Sequence, residues 1–307
     1  MDEKLLELLT ALHRPGERQG PGSDAMTERA IEMAGLDAYR KDHGFPEKPL
    51  QIADIGCGTG AASLVLAGTL HAQITAVDFL QEFLDELNAR ASTRGLTGQI
   101  ETLKADMAAL PFEAGQFDVI WSEGAIYNMG FEAGVRAWRP FLKPGGMMVL
   151  TEITWLTANR PQELQTHWDA EYPEIGTASE KIRVLEEQMF SPIGYAVMPE
   201  DGWMENYYVP LRSRFDAFLA RFSEESNPSG SAGLDLDNGD PAHITVEPPT
   251  DEPPTVEYAA DYTADYTDEP PPVTAADIVQ AEEAEIALYE KYRNYFSYGL
   301  YVAQKTD

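Results

Sequence analysis

The run Asp54-Ile-Gly56-Cys-Gly58-Thr-Gly60 has the make-up of a loop that cradles a ligand with its backbone. Glycines let the chain turn sharply and approach a bound group that any side chain would displace. The run follows the apolar segment Leu50 to Ile55 directly and precedes a helical pattern from about Ala61 to Leu70. A strand, a tight turn and a helix N-terminus in that order suit a nucleotide-like ligand. The spacing is G-x-G-x-G, not the G-x-G-x-x-G of dinucleotide loops, and an acid, Asp54, stands two residues before the first glycine. A carboxylate there favours a cationic ligand, and the sulfonium and amino groups of S-adenosylmethionine are both cationic.

Three further positions extend this chemistry. Asp78 ends the second predicted strand, 18 residues after Gly60, where a carboxylate accepts both hydroxyls of a ribose. Asp106 follows the third strand in Lys104-Ala-Asp106-Met107, placed to take an adenine amino group while Met107 packs on the ring. Phe117-Asp-Val-Ile-Trp121 reads as a buried strand opening into Ser122-Glu123-Gly124. Methyl transfer from a sulfonium is an in-line displacement in which the protein mainly aligns the reactants. A general base is needed only if the acceptor arrives protonated. Acceptor-side candidates therefore lie beyond the carboxyl ends of the fourth and fifth strands: Glu123, Tyr127 and Asn128, then Glu152, Thr154 and Trp155. Glu123 and Glu152 are the catalytic candidates, as base or acceptor-orienting group. Contact with the cofactor, or a structural role, is the competing reading for each. Cys57 reads as a small residue in the turn, and His167, on a lid helix, as a solvated histidine.

The elements that must position these residues alternate. Strands are predicted at Leu50 to Ile55, Gln73 to Asp78, Ile100 to Lys104, Phe117 to Ser122 and Met147 to Ile153, the last after the turn Lys143-Pro-Gly-Gly146. Helices fall between them at Ala61 to Leu70 and Gln81 to Arg94. That alternation indicates an α/β fold with a doubly wound parallel sheet. Upstream, Met1 to His13 has near-helical spacing of leucines, Asp24 is a candidate cap for a helix ending near Gly35, and a short helix spans Leu36 to Asp42. Downstream, helices are expected at Pro161 to Asp169, Ala178 to Gln188, Leu211 to Phe222 and Ala275 to Asn294. A sixth strand is expected at Gly194 to Met198 and a last at Tyr295 to Gln304. Trp155, Trp168, Tyr172, Phe190, Trp203, Tyr207 and Tyr208 give the lid region a high aromatic density. They read either as lid core or as the wall of a pocket for a flat or apolar small molecule.

Charge is unevenly spread. Of the formal −30, the stretch Glu224 to Asp277 contributes −14 with no lysine or arginine, leaving −16 elsewhere. Both parts repel phosphate backbones, which disfavours nucleic acid as a partner. Residues 224–274 hold nine of the 21 prolines and a tandem Ala-Asp-Tyr-Thr. Such a stretch buries too little apolar surface to offset its ordering entropy, so a disordered insertion is expected. The organisation read from the sequence is a helical cap over 1–45, a catalytic unit over 46–223 and 275–307, and the acidic insertion over 224–274. A single cysteine and five scattered histidines offer no disulfide and no metal centre. No apolar run reaches a membrane-spanning length, and the N-terminus lacks a signal-peptide core; a cytoplasmic location is expected. Nothing in the sequence specifies an oligomeric state.

With D-I-G-C-G-T-G, Asp78, A-D-M with L-P-F, F-D-V-I and L-K-P-G-G in this order, the chain resembles the class I S-adenosylmethionine-dependent methyltransferase superfamily. It is similar to the small-molecule branch that includes ubiquinone- and menaquinone-biosynthesis methyltransferases. The resemblance implies a seven-strand sheet whose last strand is antiparallel and inserted beside the sixth. It implies S-adenosylmethionine bound across Asp54, Gly56, Gly58, Gly60, Asp78, Phe79, Asp106, Met107 and Ser122. It also implies an N-terminal segment folded over the cofactor, with Arg18 and Gln19 near its methionine end. Tyr127, Asn128 and Trp155 stand as substrate candidates beside the catalytic pair.

Three rivals compete with methyl transfer to a small acceptor. A nicotinamide-dependent oxidoreductase wants G-x-G-x-x-G, which is missing here. A protein or RNA methyltransferase is opposed by the charge and by Ser122-Glu-Gly-Ala125 standing where an Asn-Pro-Pro-Tyr-type tetrad would stand. A non-catalytic S-adenosylmethionine-binding scaffold or sensor, recruiting a partner through the acidic insertion, is the alternative that turnover would eliminate.

Overall fold

A computed structural model describes residues 3–36, 48–225 and 273–306. The expected helix from Leu36 to Asp42 and most of the acidic insertion lie outside these residues. Strands β1 (Leu50–Ile55), β2 (Ala72–Asp78), β3 (Ile100–Lys104), β4 (Phe117–Glu123) and β5 (Leu142–Trp155) pair in parallel in the order β3-β2-β1-β4-β5. Beyond β5 come β8 (Phe296–Lys305) and then β7 (Phe190–Val197), each antiparallel to its neighbour. The last strand is thus the one that runs against the others, inserted between the fifth and the sheet edge. A two-residue strand, β6 (Gly176–Thr177), adds to the end of β5 and was too short to read from sequence.

Buried strands explain the near-continuous apolar runs. Val119 and Trp121 pack into one layer with Ile52, Ile74 and Val149, while Ile120 packs into the other with Ala53, Ile55 and Met148. The alternation follows from the two-residue period of a strand. It breaks at Phe117, which joins the Ile120 layer across a register shift between Phe117 and Val119. That irregularity meets Lys143-Pro-Gly-Gly146, which is not a separate turn. It lies within β5, because Leu142 already pairs with Phe117. Asp118 locks the junction: its Oδ2 accepts from Gln51 N at 2.9 Å and from Lys143 Nζ at 2.8 Å. The aspartate of F-D-V-I therefore ties β4 to the start of both neighbouring strands.

Helices α1 (Glu3–His13) and α2 (Asp24–Met33) pack on the Trp121 layer with α3 (Ala61–Thr69) and α4 (Gln81–Thr93), while α5 (Phe131–Trp138) covers the other layer. Ser23, not Asp24, caps α2, its hydroxyl accepting from Met26 N at 3.1 Å; Asp24 falls in the first turn instead. The lid comprises α6 (Gln162–Glu171), α7 (Ala178–Glu187), the turns through residues 200–212, α8 (Phe215–Glu225) and α9 (Ala275–Tyr292). The expected single helix over Leu211 to Phe222 is broken at Ser213, whose hydroxyl donates to Pro210 O at 2.6 Å in place of an open helical turn. Thr274 belongs to α9 as its cap, in a reciprocal capping box with Asp277.

The lid is bolted to the sheet through charge. Glu152, fully buried on β5, accepts from Lys181 Nζ of α7 at 2.9 Å and from the Tyr172 hydroxyl at 2.6 Å. Burial pushes the Glu152 carboxyl upward, and Lys181 and Tyr172 oppose that shift. Removing one partner of such a pair leaves a stranded charge. Lys181→Met is therefore expected to destabilise the protein by about 3–5 kcal/mol in urea unfolding, and the double variant Glu152→Gln/Lys181→Met to recover most of that loss. Equal losses in the two variants would show that packing, not charge, holds α7.

Candidate active site

Strand order reverses between β1 and β4, and connections leave in opposite directions there, opening a crevice beyond the strand ends. A cavity of about 680 Å³ fills it, lined by the glycine turn, the ends of β2 and β4, the segment after β3 and the loop after α1. Gly56 N and Cys57 N both donate to Val77 O at 2.9 Å, folding the turn back on β2. Gly56 has φ +75°, and a Cβ there would lie 2.3 Å from Ala125 Cβ, so only glycine lets the two loops meet. Gly60 serves differently. Its φ is +86° and an added Cβ would sit 2.0 Å from Leu87 Cδ1, so it allows α3 to pack on α4 and does not line the cavity.

Asp78 is fixed by backbone: Oδ2 accepts from Gly58 N and Oδ1 from Leu80 N, both at 2.9 Å. Burial raises its proton affinity while those N–H groups lower it. Phe79 beside it lines the cavity and is 61% exposed. Asp106 and Met107 line the opposite wall, with Asp106 Oδ1 accepting from Ala108 N at 2.8 Å and Trp138 Nε1 anchoring Met107 O at 3.0 Å.

At the inner end Asp54 is buried and accepts from Ser63 Oγ at 2.6 Å. Burial pushes its carboxyl up to about 7, with the nearby Glu123 and Asp78 adding to the shift and Ser63 and Arg18 opposing it. Among the described residues Arg18 is the one guanidinium on the lining. It donates to Glu123 Oε2 at 2.9 Å and to Asp24 Oδ1 at 3.0 Å. Glu123 Oε1 further accepts from Thr27 Oγ1 at 2.7 Å and Trp121 Nε1 at 3.0 Å. Gln19 Oε1 reaches the glycine turn, accepting from Thr59 N at 2.8 Å, and Arg90 clamps the same loop by donating to Thr59 Oγ1 and Gly16 O, both at 2.9 Å.

A second cavity, about 720 Å³, adjoins the first and shares Gln19, Gly20, Pro21, Gly124 and Tyr127 with it. Its walls are largely aromatic, among them Trp168, Tyr172, Trp203, Tyr207, Tyr208 and Tyr298, and His167 lies on its rim. The lid aromatics thus serve as both core and wall: Trp203 stacks on Tyr289 at 4.4 Å and donates to Ser297 Oγ at 2.9 Å while facing the cavity.

The structure gathers Arg18, Asp54, Gly56, Gly58, Asp78, Phe79, Asp106, Met107, Glu123, Tyr127 and Asn128 around the first cavity. Four expected contacts fall elsewhere. Gly60 serves helix packing, as described. Ser122 points to the opposite face of β4 from Glu123 and is enclosed. Glu152 is held inside the lid junction, its Oε1 committed to Lys181 and Tyr172. Trp155 is buried between Phe296 and Arg160, whose guanidinium sits 4.2 Å from its ring centroid. None of these four lines either cavity. Thr27 and Arg90 were missed because each acts through a long-range contact with no local motif, whereas Thr59 lies inside the glycine run and Ser63 one turn after it, and what their side chains bond is not read from spacing. Among the described residues no cluster of histidine, cysteine and carboxylate suits a metal.

Asp54 gives a stability test. Its folded value lies above the ordinary 3.8, so the unfolded chain ionises first and stability falls as pH rises from about 4 to 7. Asp54→Asn is expected to stabilise the ligand-free protein by about 1–3 kcal/mol at pH 8 and not at all near pH 4, measured by urea unfolding. A loss of stability at pH 8 would contradict this picture of the carboxyl.

Comparison with known proteins follows the same lines. Residues 52–146 match a family described as "Methyltransferase domain". Demethylmenaquinone methyltransferase of Desulfitobacterium hafniense is 29% identical over 157 residues, 47% of this chain and 61% of that protein. Tocopherol O-methyltransferase of Arabidopsis thaliana is 27% identical over 135 residues, 44% of this chain and 37% of that protein. The chain spans about half the length of the curated relatives it matches. The fold is that of a methyltransferase from Geobacter sulfurreducens, solved with S-adenosyl-L-homocysteine, at TM-score 0.63 and 14% identity over 98% of both chains. Residues 52–146 thus carry a methyltransferase domain, and the glycine turn and strand order around it are features in which the chain is similar to S-adenosylmethionine-dependent methyltransferases.

Proposed function

We propose that the protein transfers the methyl group of S-adenosylmethionine to a small-molecule acceptor held in the aromatic cavity. The observation that carries this reading is the junction at Gly124 and Tyr127 of two cavities with different chemistry, one rich in carboxylates and backbone N–H groups, the other walled by rings. The residues present fit the cofactor. A buried carboxyl pushed up to about 7 beside Asp78 and Glu123 has more negative charge near it than Arg18 balances, which a cation corrects. Once bound, S-adenosylmethionine supplies a methyl group already activated on cationic sulfur.

The chain's own residues then position. Asp78 would hold the ribose hydroxyls and Asp106 the adenine amino group, with Phe79 and Met107 offering apolar surface to the ring. Asp54 and the turn at Gly56 and Gly58 take the methionine end, under a loop carrying Arg18 and Gln19. Glu123 is assigned to positioning: its oxygens are committed to three donors, and through Arg18 it holds the N-terminal loop closed. Glu152 is assigned to anchoring the lid, and Tyr127 and Asn128 to the passage between cavities. Catalysis on this account is alignment and exclusion of water. An aromatic or apolar acceptor suits the rings of the second cavity.

The division into a cap over 1–45 and a catalytic unit over 46–223 and 275–307 belongs to the same proposal, supported by the cap loop lining both cavities. So does a cytoplasmic location. It is consistent with a lone buried cysteine and with there being, among the described residues, no helix long and apolar enough to cross a membrane.

Calorimetric titration should give micromolar binding of S-adenosylmethionine and S-adenosylhomocysteine and none of NAD. Asp78→Ala is expected to weaken the first two by about 1.5–3 kcal/mol, as for a charged hydrogen-bond acceptor lost. Absence of binding by the native protein would remove the cofactor, and unchanged affinity in the variant would remove Asp78 from the ribose.

A further inference from the structure

The second cavity carries a charge pattern beyond its aromatic walls. Glu285 of α9 and Glu171 of α6 line it, and no lysine or arginine does so among the described residues. Glu285 is an exposed residue on the cavity wall, with protein groups crowded around its carboxylate. Its Oε1 accepts from the Tyr208 hydroxyl at 2.9 Å, which orients it among the rings. One turn back on α9, Glu282 is paired with His13 Nε2 at 3.1 Å, behind Tyr207. The Lys181 ammonium sits over the ring of Tyr172 and is committed to Glu152.

From this arrangement we infer that the acceptor cavity selects a small molecule bearing a positively charged amine or quaternary ammonium group. The inference rests on the acceptor role given to the cavity above and adds the class of compound. Faces of tyrosine and tryptophan attract cations through their quadrupole, most strongly where water is excluded. A carboxylate inside the same enclosure adds direct attraction, and an anionic ligand would meet two like charges with no cation to offset them. Burial and the neighbouring Glu282 both raise the proton affinity of Glu285, with Glu171 adding to the effect; Tyr208 and His13 oppose it. A bound cation relieves that crowding.

The test uses three probes that share a phenyl ring and differ in charge: phenethylamine, 2-phenylethanol and phenylacetate. They are titrated into the full chain with S-adenosylhomocysteine present, following the fluorescence of the cavity tryptophans and, in parallel, calorimetric heat. Phenethylamine is expected to bind about tenfold or more tightly than either other probe, and Glu285→Gln to remove most of that preference. Glu171→Gln, at an exposed position, is expected to reduce it by a smaller factor and serves if Glu285→Gln proves unstable. Equal affinity for the three probes, no binding of phenethylamine, or a preference untouched by both variants would overturn the inference. S-adenosylhomocysteine binding is read in the same titrations. If it binds and the amine is not preferred, this inference fails alone. If the amine is preferred and S-adenosylhomocysteine does not bind, the charge selectivity stands and the methyl-transfer reading fails.

Discussion

The ion pair between Arg18 and Glu123 sits where the N-terminal loop meets the end of β4, and the site is built around the imbalance it leaves. Arg18 faces Glu123 and Asp24 directly, with Asp54 and Asp78 within electrostatic reach of the same pocket. Folding places Asp54, Asp78 and Glu123 together because they lie at the ends of strands β1, β2 and β4, which run parallel side by side. The energetic consequence is a buried Asp54 whose proton affinity is raised, a cost maintained by the packing of the whole sheet. A ligand bearing positive charge is what such a pocket lacks.

The scaffold around that imbalance is rigid where it must be. Gly56 lets Ala125 approach, Gly60 lets α3 pack on α4, and Asp118 fixes β4 against both its neighbours. The closing element is held outside the sheet, by side chains and by one backbone bond from Gly22 N to Gly202 O at 3.0 Å. Arg18, Gln19 and Arg90 tie the loop after α1 to Glu123 and the glycine turn, so the covering segment can release without unravelling the sheet. The lid is attached separately through Lys181 and Glu152, which links α7 to the same β5 whose Ile153 lines the second cavity.

Much of this was legible in the sequence because it is local. Strand, glycine turn and helix follow one another between Leu50 and Thr69, and Asp78 and Asp106 sit at strand ends that periodicity marks. Which face of a strand end opens to a cavity is a matter of parity and of what packs behind it. Glu123 and Ser122 are adjacent, yet only Glu123 reaches the pocket. Glu152 had the position of a catalytic acid, but a lysine 29 residues later neutralises it, a contact that no spacing rule anticipates. Thr27, Arg90 and Glu285 were hidden for the same reason. The break at Ser213 shows the converse: the apolar spacing Leu211, Phe215, Phe218, Phe222 was helical, and a hydroxyl competing for backbone interrupted it.

Asp54, its carboxyl pushed up to about 7 by burial, receives a cation on this account, and proton linkage tests that most directly. Calorimetric titration of the protein with S-adenosylmethionine near pH 7, in buffers of different ionisation enthalpy, measures the protons exchanged on binding. The account predicts net proton release, as the incoming sulfonium stabilises the Asp54 carboxylate, and its disappearance in Asp54→Asn. Binding with no proton exchanged, or with net uptake, would contradict it.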